Sequence, residues 1–368
     1  MTYIDEIQFI VGLRGRQSLQ AYTKAPASAA PNLFKYATKE LSQDAFFCWL
    51  LAWADDLCRA TDISLHGIGR GFIDLLLAEH DLAMGDRSRV VVHRQYNYVD
   101  ILVEVGDDLI LLIEDKVHAG IHGDQLTRYR DGAAEAFPGR RVAPVFLKTG
   151  DQARYDKVVE AGFKRVGRDK LLGFLRPACA VSKHPILHDF VAVLEEMEAA
   201  VQSFRSAPPA SWEGSWPWIG LYTRLQAEFD DLDWDYVANP SGGFFGAWWH
   251  GRSWTNPATG RAYDVYLQVE QGPVCFKIAV GEETDKVGPR DAWRSTLVDA
   301  AQRGGQTIRA VSRKPGKWMT VARVERDDWM KLDADGLLDL DGTVSCLRTA
   351  MGLVDEGVQA VKAANAGP

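Results

Sequence analysis

Asp100, Glu114 and Lys116 are the residues of this chain whose types and spacing point most directly to chemistry. The stretch 98–105 (Tyr-Val-Asp-Ile-Leu-Val-Glu-Val) reads as a β-strand, Gly106-Asp107-Asp108 as a turn, and 109–116 (Leu-Ile-Leu-Leu-Ile-Glu-Asp-Lys) as the return strand. Folding this hairpin so that Val105 faces Leu109 puts Asp100 opposite Glu114. Opposed residues of an antiparallel pair share a face, with Cβ atoms about 5 Å apart. Two carboxylates that close repel one another unless a cation lies between them. Lys116, two residues beyond Glu114, shares their face, whereas Asp115 points the other way and offers its backbone carbonyl. The set is an oxygen cage for a hard divalent cation with an amine beside it.

Such a hairpin needs elements that hold its open end in place. Apolar periodicity predicts helices over 42–56, with Phe46, Phe47, Leu50, Leu51 and Trp53 on one side, and over 68–79, with Phe72, Ile73, Leu76 and Leu77. Strands are expected at 90–95, 98–105 and 109–115, a helix at 124–137, core strands at 142–147 and 163–166, a helix after Asp151, and a long amphipathic helix over 188–204. Helix, three-strand meander, crossover helix and strand describe an α/β domain: a mixed central sheet flanked by helices. Residues 1–31 read as a short helix (4–19) followed by a loop. The Ser206–Ser211 stretch, Ser-Ala-Pro-Pro-Ala-Ser, reads as a linker. Beyond it, over 206–368, consecutive strands at 234–237, 244–251, 263–270 and 274–280 and helices at 291–301 and 343–362 predict a C-terminal α+β domain.

Composition limits the functional classes. With 368 residues, 46% hydrophobic and 25% charged, the chain has the makeup of a soluble globular protein of two domains. Five scattered cysteines without a Cys-x-x-Cys pair indicate neither a zinc site nor a disulfide framework. No signal sequence or membrane span is expected, and the expected location is cytoplasmic. A net charge of −8 argues against coating nucleic acid by bulk electrostatics, yet bound metal and local basic groups can reverse the potential at a site. The aromatic run 244–249 (Phe-Phe-Gly-Ala-Trp-Trp) is read as β-sheet core in preference to a base-stacking surface, while the basic run 309–317, with Arg313, Lys314 and Lys317, fits phosphate contact and a solvated turn at Pro315-Gly316 equally well.

Several motifs in order resemble the PD-(D/E)XK nuclease superfamily: Glu40 before the first core helix, Asp100 in the second strand, Glu114-Asp115-Lys116 ending the third, and Gln125-x-x-x-Tyr129 opening the next helix. Val99 stands where the superfamily's name-giving proline would precede the aspartate. The resemblance spans roughly residues 32–205 and implies a restriction-endonuclease-like core. It implies a metal-dependent nuclease hydrolysing DNA phosphodiester bonds, of the kind that serves in restriction, repair or phage defence.

On that reading Asp100, Glu114, the Asp115 carbonyl and Glu40 would hold Mg²⁺ or Mn²⁺, with Asp44 competing for the role of Glu40. Lys116 would position or deprotonate the attacking water, or balance charge in the transition state. Gln125 and Tyr129, one helical turn apart, would bond the scissile phosphate or support Lys116. His118, His122, Arg128 and Arg130 lie where they could meet flanking phosphates. DNA is the expected partner, with a homodimer or a protein partner engaged through the C-terminal domain. The alternatives are a non-catalytic interaction module on the same fold and a nucleotide phosphohydrolase.

Overall fold

The computed structural model describes residues 31–37, 40–117, 120–121, 123–239, 242–312 and 314–365. The helix expected over 4–19 lies outside them. The chain divides into two compact units, with the break at Ala199/Ala200 inside a helix, a few residues before the expected linker.

The unit ending at Ala199 contains a five-stranded sheet in the order β1-β2-β3-β4-β5. The strands are β1 (Val90–Tyr96), β2 (Val99–Val105), β3 (Leu109–Lys116), β4 (Arg141–Lys148) and β5 (Lys164–Gly167). The pairs β1/β2 and β2/β3 are antiparallel, while β3/β4 and β4/β5 are parallel, so the sheet is mixed as expected. Val105 pairs with Leu109, and the register runs unbroken to Ile101 and Ile113. One more step brings Asp100 level with Glu114.

Side-chain alternation on these strands builds a core on each face. Ile101, Val103, Leu109, Leu111, Ile113, Val145 and Leu147 pack beneath helices α1 (Glu40–Ala52), α2 (Ile63–Ala78), α5 (Arg168–Val181) and α6 (Pro185–Gln202). Leu102, Ile110, Leu112 and Phe146 pack on the opposite face, beneath α3 (Gln125–Ala136) and the short α4 (Asp156–Glu160). Phe46 of α1 stacks on Phe190 of α6, with centroids 3.7 Å apart. Helix α2 approaches α1 closely at Gly69, where a Cβ would come within 2.7 Å of the Leu50 carbonyl oxygen. Helix α5 was not expected from the sequence. It begins at the charged Arg168-Asp169-Lys170 and carries Pro177 within it, which masks its Leu171/Leu172/Leu175 stripe.

The other unit contains a six-stranded antiparallel sheet, in chain order β6 (Leu232–Val237), β7 (Phe244–Thr255), β8 (Ala262–Val269), β9 (Val274–Ala279), β10 (Arg309–Ala310) and β11 (Trp318–Val324), with spatial order β10-β11-β9-β8-β7-β6. Among the described residues it also holds α7 (Trp216–Leu225), α8 (Val287–Arg303), α9 (Arg326–Trp329) and α10 (Leu340–Asn365). Helix α7 and strand β11 were not foreseen. Trp249 and Trp254 of β7 are fully buried, Trp249 edge-on to Phe229 at 5.3 Å and Trp254 beside Trp293 at 5.4 Å. Trp249 of the aromatic run therefore contributes core, as expected, while Phe244, Phe245 and Trp248 are half-buried. In the basic run, Arg309 pairs with Glu325 and Lys317 with Glu282. Arg313 lies outside the described residues.

Candidate active site

At the end of β3 the polypeptide turns polar, and each face receives a different group. Glu114 and Lys116 project on the α3 side, in step with Ile110 and Leu112, while Asp115 projects beneath α1. Lys116 Nζ is the point of convergence. It donates to Asp100 Oδ2 (3.1 Å) and to the Asp115 carbonyl (3.0 Å), and lies 2.7 Å from Glu114 Oε1. The three oxygens assigned from sequence to a divalent cation thus surround an ammonium, a monovalent cation of the chain's own. Asp100 Oδ2 also accepts from the Asp115 backbone N–H (2.9 Å), which ties β2 to β3 beyond the last ladder pair.

Glu114 is only 1% exposed. Its Oε1 also accepts from Gln125 Nε2 (2.8 Å), and the same nitrogen donates to the Tyr129 hydroxyl (3.1 Å), so the first turn of α3 is fastened to the acid. Its Oε2 is buried without a hydrogen-bond partner among the described residues. Burial pushes the Glu114 carboxyl up to about 8; Lys116 opposes this and Asp100 reinforces it. Burial alone would lower Lys116, but Glu114 and Asp100 outweigh it, and the amine is held protonated. Burial, then the charge of Glu114, raises the Tyr129 phenol.

Beneath the strand lies a second acidic layer. Asp115, also 1% exposed, accepts from Gln43 Nε2 at 2.6 Å. Gln43 Oε1 in turn accepts from Thr149 Oγ1 (2.9 Å), and the Thr149 N–H donates to the Lys116 carbonyl (3.2 Å). Arg168, buried at the start of α5, donates to the Thr149 carbonyl (2.6 Å) and pairs with Asp151 and Glu198. Burial and the neighbouring Asp44 raise Asp115 well above the usual carboxylate range, and burial with Asp100 brings Asp44 up to about 6. Asp44 Oδ1 and Asp115 Oδ2 are buried without a hydrogen-bond partner among the described residues. The Asp115 side chain is therefore a structural acid of the α1/β3/β4 junction, while its carbonyl serves the opposite face.

Glu40, the first residue of α1, accepts from the Val117 N–H (2.8 Å) and so caps the end of β3. Lys148, missed in the sequence, is the parallel partner of Lys116 and is 1% exposed. Burial lowers its amine to about 8, with Glu40 as the main opposing influence. The signal available was a lysine ending an apolar strand immediately beside the Glu-x-Lys strand, but the pairing of β4 with β3 is not written in the local sequence. Arg128 is exposed and pairs with Asp124 on its own helix (3.0 Å). Arg130 pairs with Asp131 and donates to the Ala161 carbonyl, bracing α3 against the end of α4. Both thus have local partners. His118 and His122 lie outside the described residues.

The matching segment agrees with this geometry. Residues 92–199 match the family model of the PD-(D/E)XK nuclease superfamily. No curated protein and no solved structure matches the chain. The superfamily segment includes Asp100, Glu114, Lys116, Gln125 and Tyr129, and begins after α1 with Glu40, Gln43 and Asp44. The five-stranded mixed sheet flanked by helices is consistent with a restriction-endonuclease-like core. PD-(D/E)XK nucleases typically use divalent metal ions, and the oxygens here fit one. Two carboxylates and a carbonyl already converge on a cation, and the orphaned Glu114 Oε2 supplies a further donor. Among the described residues no group of three or more His, Cys, Asp or Glu side chains is arranged to hold a metal. No described helix is long and apolar enough to cross a membrane.

Proposed function

We propose that the unit ending at Ala199 is a divalent-metal-dependent nuclease that hydrolyses DNA phosphodiester bonds. The observation carrying this reading is the convergence of Asp100 Oδ2, Glu114 Oε1 and the Asp115 carbonyl on one cationic centre, inside the segment that matches the nuclease superfamily. Asp100, Glu114 and the Asp115 carbonyl hold Mg²⁺ or Mn²⁺, and Glu40 fixes the strand end that presents them. Bound there, the ion supplies charge neutralisation at the phosphate and makes a water easier to deprotonate. Lys116 keeps its proton at Nζ and places that positive charge against the phosphate, where negative charge grows in the transition state. Gln125 orients Glu114 and, through Tyr129, sets the wall of the site. Roles in restriction, repair or phage defence are biological settings that this chemistry suits.

The test is incubation with supercoiled, linear and single-stranded DNA, and with RNA of the same sequence, in Mg²⁺ or Mn²⁺. Wild-type protein cleaves DNA and the folded Lys116→Ala variant does not. Equal cleavage by the two proteins, or no cleavage together with no calorimetric binding of either ion, refutes the reading.

A further inference from the structure

The turn that leads into Asp100 has a backbone its residues do not favour. Tyr96 pairs with Val99, leaving Asn97 and Tyr98 as a two-residue hairpin turn. Both have positive φ, 48° and 72°, and Gln95 has φ 54° within β1. Asparagine is at home there, but the second position of such a turn is normally glycine, and a bulky side chain in the left-handed region is an outlier. The β1/β2 register, continued past Arg94↔Ile101, places the kinked Gln95 level with Asp100.

Burial does not repay this strain at Tyr98 among the described residues. The Tyr98 side chain is 87% exposed, so it adds little to either core. Glycine would relax the turn, and a polar residue would suit the solvent. What distinguishes position 98 is its address. It lies two residues before Asp100, within about 7 Å along an extended chain. An exposed aromatic ring on a strained turn, two residues from an acid cluster, is suited to a nucleic-acid contact. The ring offers a face for a base.

We propose that Tyr98 stacks on an unpaired base next to the scissile phosphate, so that the substrate is single-stranded or frayed nucleic acid. This rests on the nuclease reading of the same site. A paired base buries its face in the helix, so a perfect duplex offers Tyr98 no platform.

The experiment measures binding of a 2-aminopurine-labelled single strand and a blunt duplex by fluorescence in Ca²⁺, with cleavage in Mg²⁺ measured separately, for wild type, Tyr98→Gly and Tyr98→Phe. Glycine suits the local backbone, so Tyr98→Gly folds and melts no lower than wild type. It is expected to weaken single-strand binding between about fivefold and a hundredfold, the worth of one base–aromatic stack. It should also lose the 2-aminopurine quench and leave duplex binding unchanged, while Tyr98→Phe keeps both. Unchanged single-strand binding by Tyr98→Gly, equal losses on single strand and duplex, or no binding by wild type overturns the proposal. Tyr98-dependent binding without any cleavage by wild type sinks the hydrolytic reading and leaves the stacking contact standing.

Discussion

Glu114→Gln is expected to stabilise the cation-free protein in alkaline solution while abolishing its chemistry. The carboxyl moves from an ordinary 4.5 to about 8 on folding because burial penalises its charge. Below pH 4.5 both folded and unfolded chains hold the proton, and the group carries no ionisation penalty. Between 4.5 and 8 only the folded chain holds it, so this group's contribution worsens as pH rises, and above 8 the loss is complete. At about 1.36 kcal/mol per pH unit, the full loss is at most about 5 kcal/mol. Glutamine keeps the oxygen that accepts from Gln125 and removes the titration, but leaves an amide where Oε2 has no partner, at a cost of about 1–3 kcal/mol. The variant should therefore be about 2–4 kcal/mol more stable than wild type at pH 8.5, or about 5–15 °C in melting temperature, and equal or slightly weaker at pH 5. Urea denaturation in chelator at the two pH values reads the difference directly, and the buried Asp44–Asp115 pair, common to both proteins, cancels. A variant with wild-type pH dependence, or one less stable at pH 8.5, would show that Glu114 is not the strained acid described.

Three other substitutions probe the neighbours. Lys116→Met removes the ammonium that now occupies the three oxygens, so Mn²⁺ binding measured by calorimetry should be retained or tightened; binding lost along with the lysine would mean that the oxygens do not form a cation site by themselves. Asp100→Asn loses a charged partner of Lys116 and weakens the bond from the Asp115 N–H, and should lower cation-free stability by about 1–2 kcal/mol. A gain in its denaturation midpoint would instead indicate that repulsion between Asp100 and Glu114 dominates despite the ammonium between them. Gln43→Leu strips Asp115 of its donor and Thr149 of its acceptor, and should cost about 2–4 kcal/mol in chemical denaturation, whereas a change below about 1 kcal/mol would mean that the α1/β3/β4 network holds nothing.

How far the sequence could be read depended on how local each arrangement was. The β2/β3 hairpin was legible because a short turn fixes its register, and register fixes which side chains share a face; Asp100, Glu114 and Lys116 met as that logic requires. Gln125 and Tyr129 were legible as a helical pair, though the bond from Gln125 to Glu114 needed the crossover to be in place. Lys148 and Gln43 were not legible, since one arrives through a parallel strand pairing and the other through a helix packed across the sheet. Helix α5 escaped because its proline and charged start disguise an apolar stripe that only tertiary packing makes worthwhile. The side chain of Asp115 was expected only to point away from Glu114, and burial gave it a structural task that spacing alone does not suggest.

The two layers of acid on β3 explain why so polar a strand end sits inside the protein. On one face Glu114 and Asp100 are held close by the Lys116 ammonium; on the other, burial and the neighbouring Asp44 favour the neutral form of Asp115, against the opposing hydrogen bond from Gln43. Were Asp115 ionised, its charge would add to that of Asp100 across a single strand, beside a Glu114 that burial already keeps from ionising. Protonating the inner acid confines negative charge to the outer face, where a divalent cation and a phosphate would meet it. The apolar residues that clamp the strand from both sides, Leu111 and Ile113 beneath α1 and Ile110 and Leu112 beneath α3, carry the stability that this arrangement gives up. A site built this way binds its ion by relieving strain already present, so loading with Mn²⁺ should raise the melting temperature of wild type more than that of Glu114→Gln.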